Sequence, residues 1–291
     1  MHIFLIRHGE TEHNVAGLLA GVSDSRLTNH GRIQTERLGQ YLAAHRNLRF
    51  TRIFASDLQR AYMTAEQIQK HQAMQWPEAG VPDVIRLALL REQDFGSLEL
   101  VPWASRRAQE AINPADPSYR PQETTEAMAR RADTFINNHV IPLSVSSLVA
   151  EQDSLPECVA VVSHGLFLSI LWKTLLTKFH AGTVVLGPNV EVLSHGRPLE
   201  YLPSWSNTGF LEMTIHHQNH SGRSEDSASR RPLTTRTGDT LPFVGCRVTV
   251  HTVNGKDHLS DLRRARGGIG SSPYDAKQKS LDGFFKRPKN G

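Results

Sequence analysis

The chain has 291 residues, 38% of them hydrophobic and 21% charged, with 21 glycines and 15 prolines, which excludes a collagen, a coiled coil and a fully disordered chain. A polymer of this size buries roughly 70% of the surface it exposes when unfolded, so it needs no disulfide, and Cys158 and Cys246, both in apolar runs, read as small buried hydrophobes of a reducing, intracellular compartment, cytoplasm or nucleus. Eight basic and three acidic residues stand from Ser260 onward, so +5 of charge sits there and the rest is −1 against a formal net of +4; the body has no footprint of a nucleic-acid-binding domain.

The first apolar run, residues 2–7, ends at a charge and is too short for a signal peptide's central region. It reads as a buried first strand. No run reaches the ~20 apolar residues of a membrane span. Further strands are predicted at 52–55, near 84–87 and at 158–163, separated by helical patterns. The helix over 29–45 presents Ile33, Leu38, Tyr41 and Leu42. The next covers 57–71 behind a Ser56 cap and presents Ala61, Ala65 and Ile68. Helices over 123–140 and 165–178 complete the set. Alternation of this kind predicts an α/β fold of three layers, α/β/α, around a mostly parallel sheet. Strands over 208–216 and 243–253 extend it. The Ser-, Arg- and Thr-rich stretch 218–240 reads as a mobile insertion in a domain spanning 1–258, and 259–291 as a disordered basic tail.

Chemistry concentrates where strands end. Arg7-His8-Gly9-Glu10-Thr11, with Asn14 following, closes the first strand, and Ser163-His164-Gly165 runs off a later one. Ligands of open parallel sheets gather at such carboxyl ends, so His8 and His164 face one crevice. Arg60, in Ser56-Asp57-Leu58-Gln59-Arg60-Ala61, aims at it from the start of its helix. Two guanidinium forks, Arg7 and Arg60, and the amide groups of the helix opening at Gly165 suit a phosphate. His8 is then the nucleophile and His164 its electrostatic partner. A leaving alkoxide needs a proton, for which Glu92 is favoured over the competing Asp94 and Glu99. His216, His217 and His220 do not read as a metal site, because adjacent strand residues face opposite ways. Gly17 and Gly21 read as turn residues, and 103–107 as a solvated helix in preference to a stretch that helps bind a phosphorylated substrate.

These pieces, with Gly21–Thr28 leading to Gly31 and Gln34, Thr64-Ala65, and Phe95-Gly96 with Glu99, resemble the histidine phosphatase superfamily, of phosphoglycerate mutase-like fold, over residues 1–180. The resemblance implies that His8 becomes phosphorylated, that Arg7, Arg60 and His164 bind the phosphoryl group with help from Asn14, that Glu92 donates the proton and later activates water, and that no metal or other cofactor takes part. It implies a phosphomonoesterase acting on a phosphorylated substrate. A phosphate-binding scaffold and a clamp-interacting regulator are the alternatives. A mutase is disfavoured because 101–122 is shorter than a mutase's insertion. Leu98-Glu99-Leu100 stands where an aromatic and a Glu-Gly pair are usual, so the backbone is expected to turn differently at Leu100. The substrate's walls are expected in 101–122 and 184–203.

The tail carries Gln278, Leu281, Phe284 and Phe285 in a spacing that resembles the peptide motif binding the replication sliding clamp, PCNA. One 3₁₀-like turn would bring the three apolar residues to one side.

Overall fold

The computed structural model describes residues 1–78, 80–144, 156–194, 196–217, 242–265 and 268–275. The insertion expected at 218–240 and the motif at 278–285 lie outside them.

Seven strands form one sheet in the order β3-β2-β4-β1-β6-β7-β5. They are β1 (His2–Arg7), β2 (Arg52–Ser56), β3 (Val84–Leu87), β4 (Cys158–Ser163), β5 (Val184–Leu186), β6 (Phe210–His217) and β7 (Cys246–Gly255). Pairings β1/β4, β2/β4, β2/β3 and β5/β7 are parallel, and β1/β6 and β6/β7 antiparallel. The sheet is mostly parallel because helices carry the chain back between strands, and its central strands are apolar on both faces, as burial under two layers requires. Ile3 and Leu5 of β1 join Val159 and Val161 of β4 on one face. Phe4 and Ile6 join Cys158, Ala160 and Val162 on the other. The first face is covered by α5 (Thr125–Phe135) and α6 (Gly165–Leu176) through Met128, Phe135, Phe167 and Trp172. The second is covered by α2 (Asn29–Ala44) and α3 (Gln59–Gln75) through Leu38, Leu42, Ala65 and Ile68. Short α1 (Glu12–Ala16), α4 (Arg106–Glu110) and α7 (Pro188–Ser194) lie in connections.

Several expectations are corrected. Ser56 ends β2 instead of capping α3; its Oγ accepts the Leu58 N–H at 3.3 Å, and Asp24 Oδ1, from a distant loop, accepts the Gln59 N–H at 3.1 Å. Ile33 is exposed. Strands β6 and β7 start late, at Phe210 and Cys246, because Thr208 (φ 57) and Gly245 (φ 73) are left-handed just before them. The tail does not begin at 259. Residues 257–265 and 268–275 pack on the body, where Arg264 pairs with Glu10 and the Tyr274 N–H donates to Leu27 O at 2.8 Å. The Asn29 N–H, at the start of α2, donates to Ser272 O at 3.0 Å. Polar contacts add to these, among them His258 Nε2 with Thr208 Oγ1 (3.0 Å), Asn29 Nδ2 to Ile269 O (2.9 Å) and Arg32 over the Tyr274 ring, and a strap held this way has no apolar periodicity to announce it.

Among the described residues no helix is long and apolar enough to cross a membrane.

Candidate active site

Register places the two histidines. Arg7 of β1 lies opposite Ser163 of the parallel neighbour β4, so His8 and His164, each one residue further on, emerge side by side at the carboxyl edge. Their ring centroids are 5.0 Å apart, close to the inter-strand spacing. The backbone locks the corner: the His8 N–H donates to Ser163 O at 3.0 Å, and the Thr208 N–H donates to both Arg7 O and His8 O at 3.1 Å.

The tautomers follow from the partners. His8 Nδ1 lies 2.7 Å from Gly9 O. A carbonyl can only accept, so Nδ1 carries the proton and the lone pair is on Nε2. Arg60 Nε donates to His164 Nδ1 at 3.2 Å, so His164 carries its proton on Nε2. That Nε2 is buried without a partner, as is Arg7 Nε. Two unsatisfied donors buried beside a free imidazole lone pair are costly unless an anion completes them. Burial first, then Arg60 and Arg7, hold His8 well below the usual histidine range; burial and Arg60 do the same for His164. Both rings are neutral at pH 7.

Arg60 is 1% exposed and lines the cleft, with most of its guanidinium donors engaged by the protein. NH1 donates to Ser23 O at 2.9 Å, and NH2 donates to Gly21 O at 2.6 Å and Ala20 O at 3.2 Å. Its work is to tie loop 20–23 to His164. Burial brings its pKa down to about 10. Arg7 NH1 donates to Trp205 O at 2.6 Å, while its Nε is buried without a partner and the two N–H groups of NH2 add further donors.

Glu92 sits at the start of α6. Its Oε1 accepts the N–H groups of Gln93 (3.0 Å) and Phe167 (2.9 Å), and Oε2 accepts that of Leu166 (3.1 Å). The helix amides expected to face the phosphate therefore hold the carboxylate instead. Gly165 is not required by space, since a Cβ there would lie 3.7 Å from Arg7 Nε, an ordinary contact. The competing carboxylates are otherwise engaged. Asp94 pairs with Arg120 at 2.6 Å and accepts the Gly96 N–H. Glu99 accepts four amides, from Gly21, Val22, Ser23 and Phe95. Leu100 has φ 64, the left-handed conformation a glycine adopts without strain, so the backbone keeps a glycine-like turn that the leucine was expected to change.

Arg7, His8, Asn14, Arg60 and Glu92 line one cleft of about 340 Å³ with Asn207. Asn14 Oδ1 accepts the Thr11 N–H and Asn207 Nδ2, both at 3.1 Å, so its amide NH₂ is the group left for a ligand. Asn207 also donates to His8 O at 3.2 Å. Sequence reading missed it, since nothing in Ser206-Asn207-Thr208 marks a strand end. Gly17–Ala20 and Trp103 also line the cleft; among the described residues, none of 184–203 does.

The sequence pattern of the histidine phosphatase superfamily (branch 1) matches residues 3–208, well over half of the chain. The chain belongs to that superfamily. A probable phosphatase of Schizosaccharomyces pombe is 28% identical over 286 residues, 97% of this chain and 79% of its own. A probable phosphoglycerate mutase of Proteus mirabilis is 34% identical over 183 residues, 60% of this chain and 75% of its own. Among solved structures, a mycobacterial glucosyl-3-phosphoglycerate phosphatase superposes with TM-score 0.56 at 19% identity, over 87% of this chain and 98% of its own. That is a likeness of fold, and it fits the layered sheet of this histidine phosphatase family member.

Proposed function

We propose that the protein hydrolyses a phosphate monoester through a phosphohistidine on His8. Family membership and phosphatase-named relatives support phosphatase activity. The observation that carries the mechanism is the free Nε2 of His8 beside two buried, unpartnered donors, Arg7 Nε and His164 Nε2. In the first step the Nε2 lone pair attacks phosphorus in line, the P–O bond to the alcohol breaks, and Glu92 gives a proton from Oε2 to the leaving oxygen. Arg7, His164 and the Asn14 amide donate to the equatorial oxygens as their charge grows, and Arg60 fixes His164 from behind. Glu92 then takes a proton from water, whose oxygen attacks phosphorus. The P–N bond breaks and His8 regains its lone pair.

Acid-labile ³²P retained on the wild-type protein after rapid quench from a labelled ester, and absent from His8→Ala, is the expected result. Undiminished turnover by His8→Ala overturns the proposal. Tight vanadate binding with no ester hydrolysed would instead favour a phosphate-binding scaffold.

A tether to the PCNA sliding clamp through Gln278, Leu281, Phe284 and Phe285 rests on the sequence pattern alone. The described strap ends at exposed Asp275. Calorimetry of the full chain with purified clamp should give heat that the Phe284→Ala, Phe285→Ala double variant loses; no heat from the native chain refutes the tether.

A further inference from the structure

The wall above the phosphate pocket differs in chemistry from its floor. All cationic side chains lining the cleft among the described residues, Arg7 and Arg60, lie at the floor with His8 and Glu92. The rest of the lining is uncharged apart from His13: Leu18, Leu19, Phe95 and Trp103 supply its apolar surface, and Thr11, Asn14 and Asn207 its polar groups. We infer that this site takes monophosphate esters whose alcohol bears a flat, uncharged aromatic group stacked on Trp103, and disfavours esters carrying a second phosphate or a carboxylate. The inference rests on the phosphatase reading and adds the class of substrate to it.

Three observations carry it. Trp103 is 65% exposed, yet its backbone is fixed at the mouth. Its N–H donates to Gly17 O at 3.0 Å, the Leu19 N–H to Val101 O at 2.9 Å and the Leu100 N–H to Leu19 O at 2.7 Å, with a bridge between Leu18 and Pro102. Gly17 is left-handed (φ 67), and a Cβ there would lie 3.3 Å from the indole nitrogen; a glycine lets the ring edge lie against this turn. The result is an apolar face held open toward the cleft, the kind of surface that a planar ring covers.

Charge supplies the second observation. A further phosphate or carboxylate on the ester would lose water against Leu18, Leu19 and Phe95 without meeting a cation among the described lining residues. The third is His13, which lines the same cleft beside Trp103 and adds one polar ring to this part of the lining. A cleft of about 340 Å³ is at the small end of ligand sites, with room for one ring system beside the phosphate.

The test compares phenyl phosphate, adenosine 5′-monophosphate, glycerol 3-phosphate, 3-phosphoglycerate and fructose 1,6-bisphosphate on the full chain. At least one aromatic ester should exceed both multiply charged esters in kcat/KM by about tenfold or more, and Trp103→Ala should cut that ratio about tenfold while Trp103→Phe keeps it within about threefold. The two aromatic arms separate a ring bonded to the phosphate oxygen from one carried further along. Calorimetry with phenylphosphonate and methylphosphonate reads the wall without chemistry: the phenyl compound should bind about tenfold tighter to the wild type, and the advantage should vanish in Trp103→Ala. Equal binding of the two phosphonates, or preference for the bisphosphate or phosphoglycerate, overturns the inference while leaving phosphatase activity standing. Preferred binding of phenylphosphonate with no ester hydrolysed does the reverse: the ligand class holds and the phosphatase reading falls.

Discussion

Glu99 tests whether the site is organised from behind. Its carboxylate gathers four backbone donors, Oε2 taking Gly21 (3.2 Å) and Ser23 (3.1 Å), and Oε1 taking Val22 (3.1 Å) and Phe95 (3.0 Å). The same loop presents the carbonyls of Ala20, Gly21 and Ser23 to Arg60, which in turn orients His164. Glu99→Ala orphans all four donors. Each bond to a carboxylate is worth about 1.5–3 kcal/mol when water cannot replace it, and Glu99 is only half-buried, so we expect a loss of about 3 kcal/mol in urea unfolding. For a protein of this size that corresponds to a melting temperature lower by about 5 °C. Released from the loop, Arg60 no longer holds His164, and kcat/KM should fall about 10- to 100-fold. Glu99→Gln is the sharper variant. Each oxygen accepts two bonds, so either orientation of the amide sets an NH₂ against two N–H groups, and Gln should fall within about 1 kcal/mol of Ala. A Glu99→Gln protein with unchanged melting temperature and kcat/KM would refute the argument that this carboxylate builds the loop.

The buried histidines make stability depend on pH with a definite sign. Burial lowers His258 to about 4, and the unfolded chain binds the proton near 6.5, so the contribution is complete above pH 6.5 and is lost as the pH falls toward 4. For His258 alone this is about 2 kcal/mol between pH 6.5 and 5, read by urea unfolding at both pH values; His258→Gln should flatten that slope, and an unchanged slope contradicts the assignment. His8 and His164 shift in the same direction, so kcat/KM should show no loss from His8 protonation as the pH falls from 7 to 6, and a loss with the usual histidine midpoint would show an unperturbed ring. Leu100→Gly should stabilise by about 0.5–1 kcal/mol, because glycine relieves a left-handed leucine at some cost in chain entropy; a destabilised variant would mean that the exposed Leu100 side chain packs more than its φ costs.

What could be read in the sequence is what depends on short-range pattern. Apolar runs at β1, β2 and β4 and amphipathic α2 and α3 imply parallel crossovers, and those place His8 and His164 at one edge before any coordinate is known. Long-range hydrogen bonding has no such pattern. Nothing in the composition of 257–275 announces that Arg264 reaches Glu10 or that Ser272 accepts from the first turn of α2. The same holds at the site: Arg60 is marked as an anion binder by its type, but the three carbonyls of loop 20–23 decide where its fork points. Glu92, Asp94 and Glu99 are equivalent as letters. They separate only when the first turn of α6 claims Glu92 and four amides claim Glu99. Trp103, in a stretch favoured as a solvated helix over a substrate contact, and Asn207, which has no local signal, reach the cleft from loops whose path is set by contacts with Gly17 and His8.

The nitrogen that bears the phosphoryl group is the most direct test of the mechanism. His8 Nδ1 is committed to Gly9 O, so trapped enzyme, digested under alkaline conditions and compared with authentic phosphohistidine isomers, should yield phosphate on Nε2 of His8 alone. Phosphate on Nδ1, on His164 or on a hydroxyl would contradict the account.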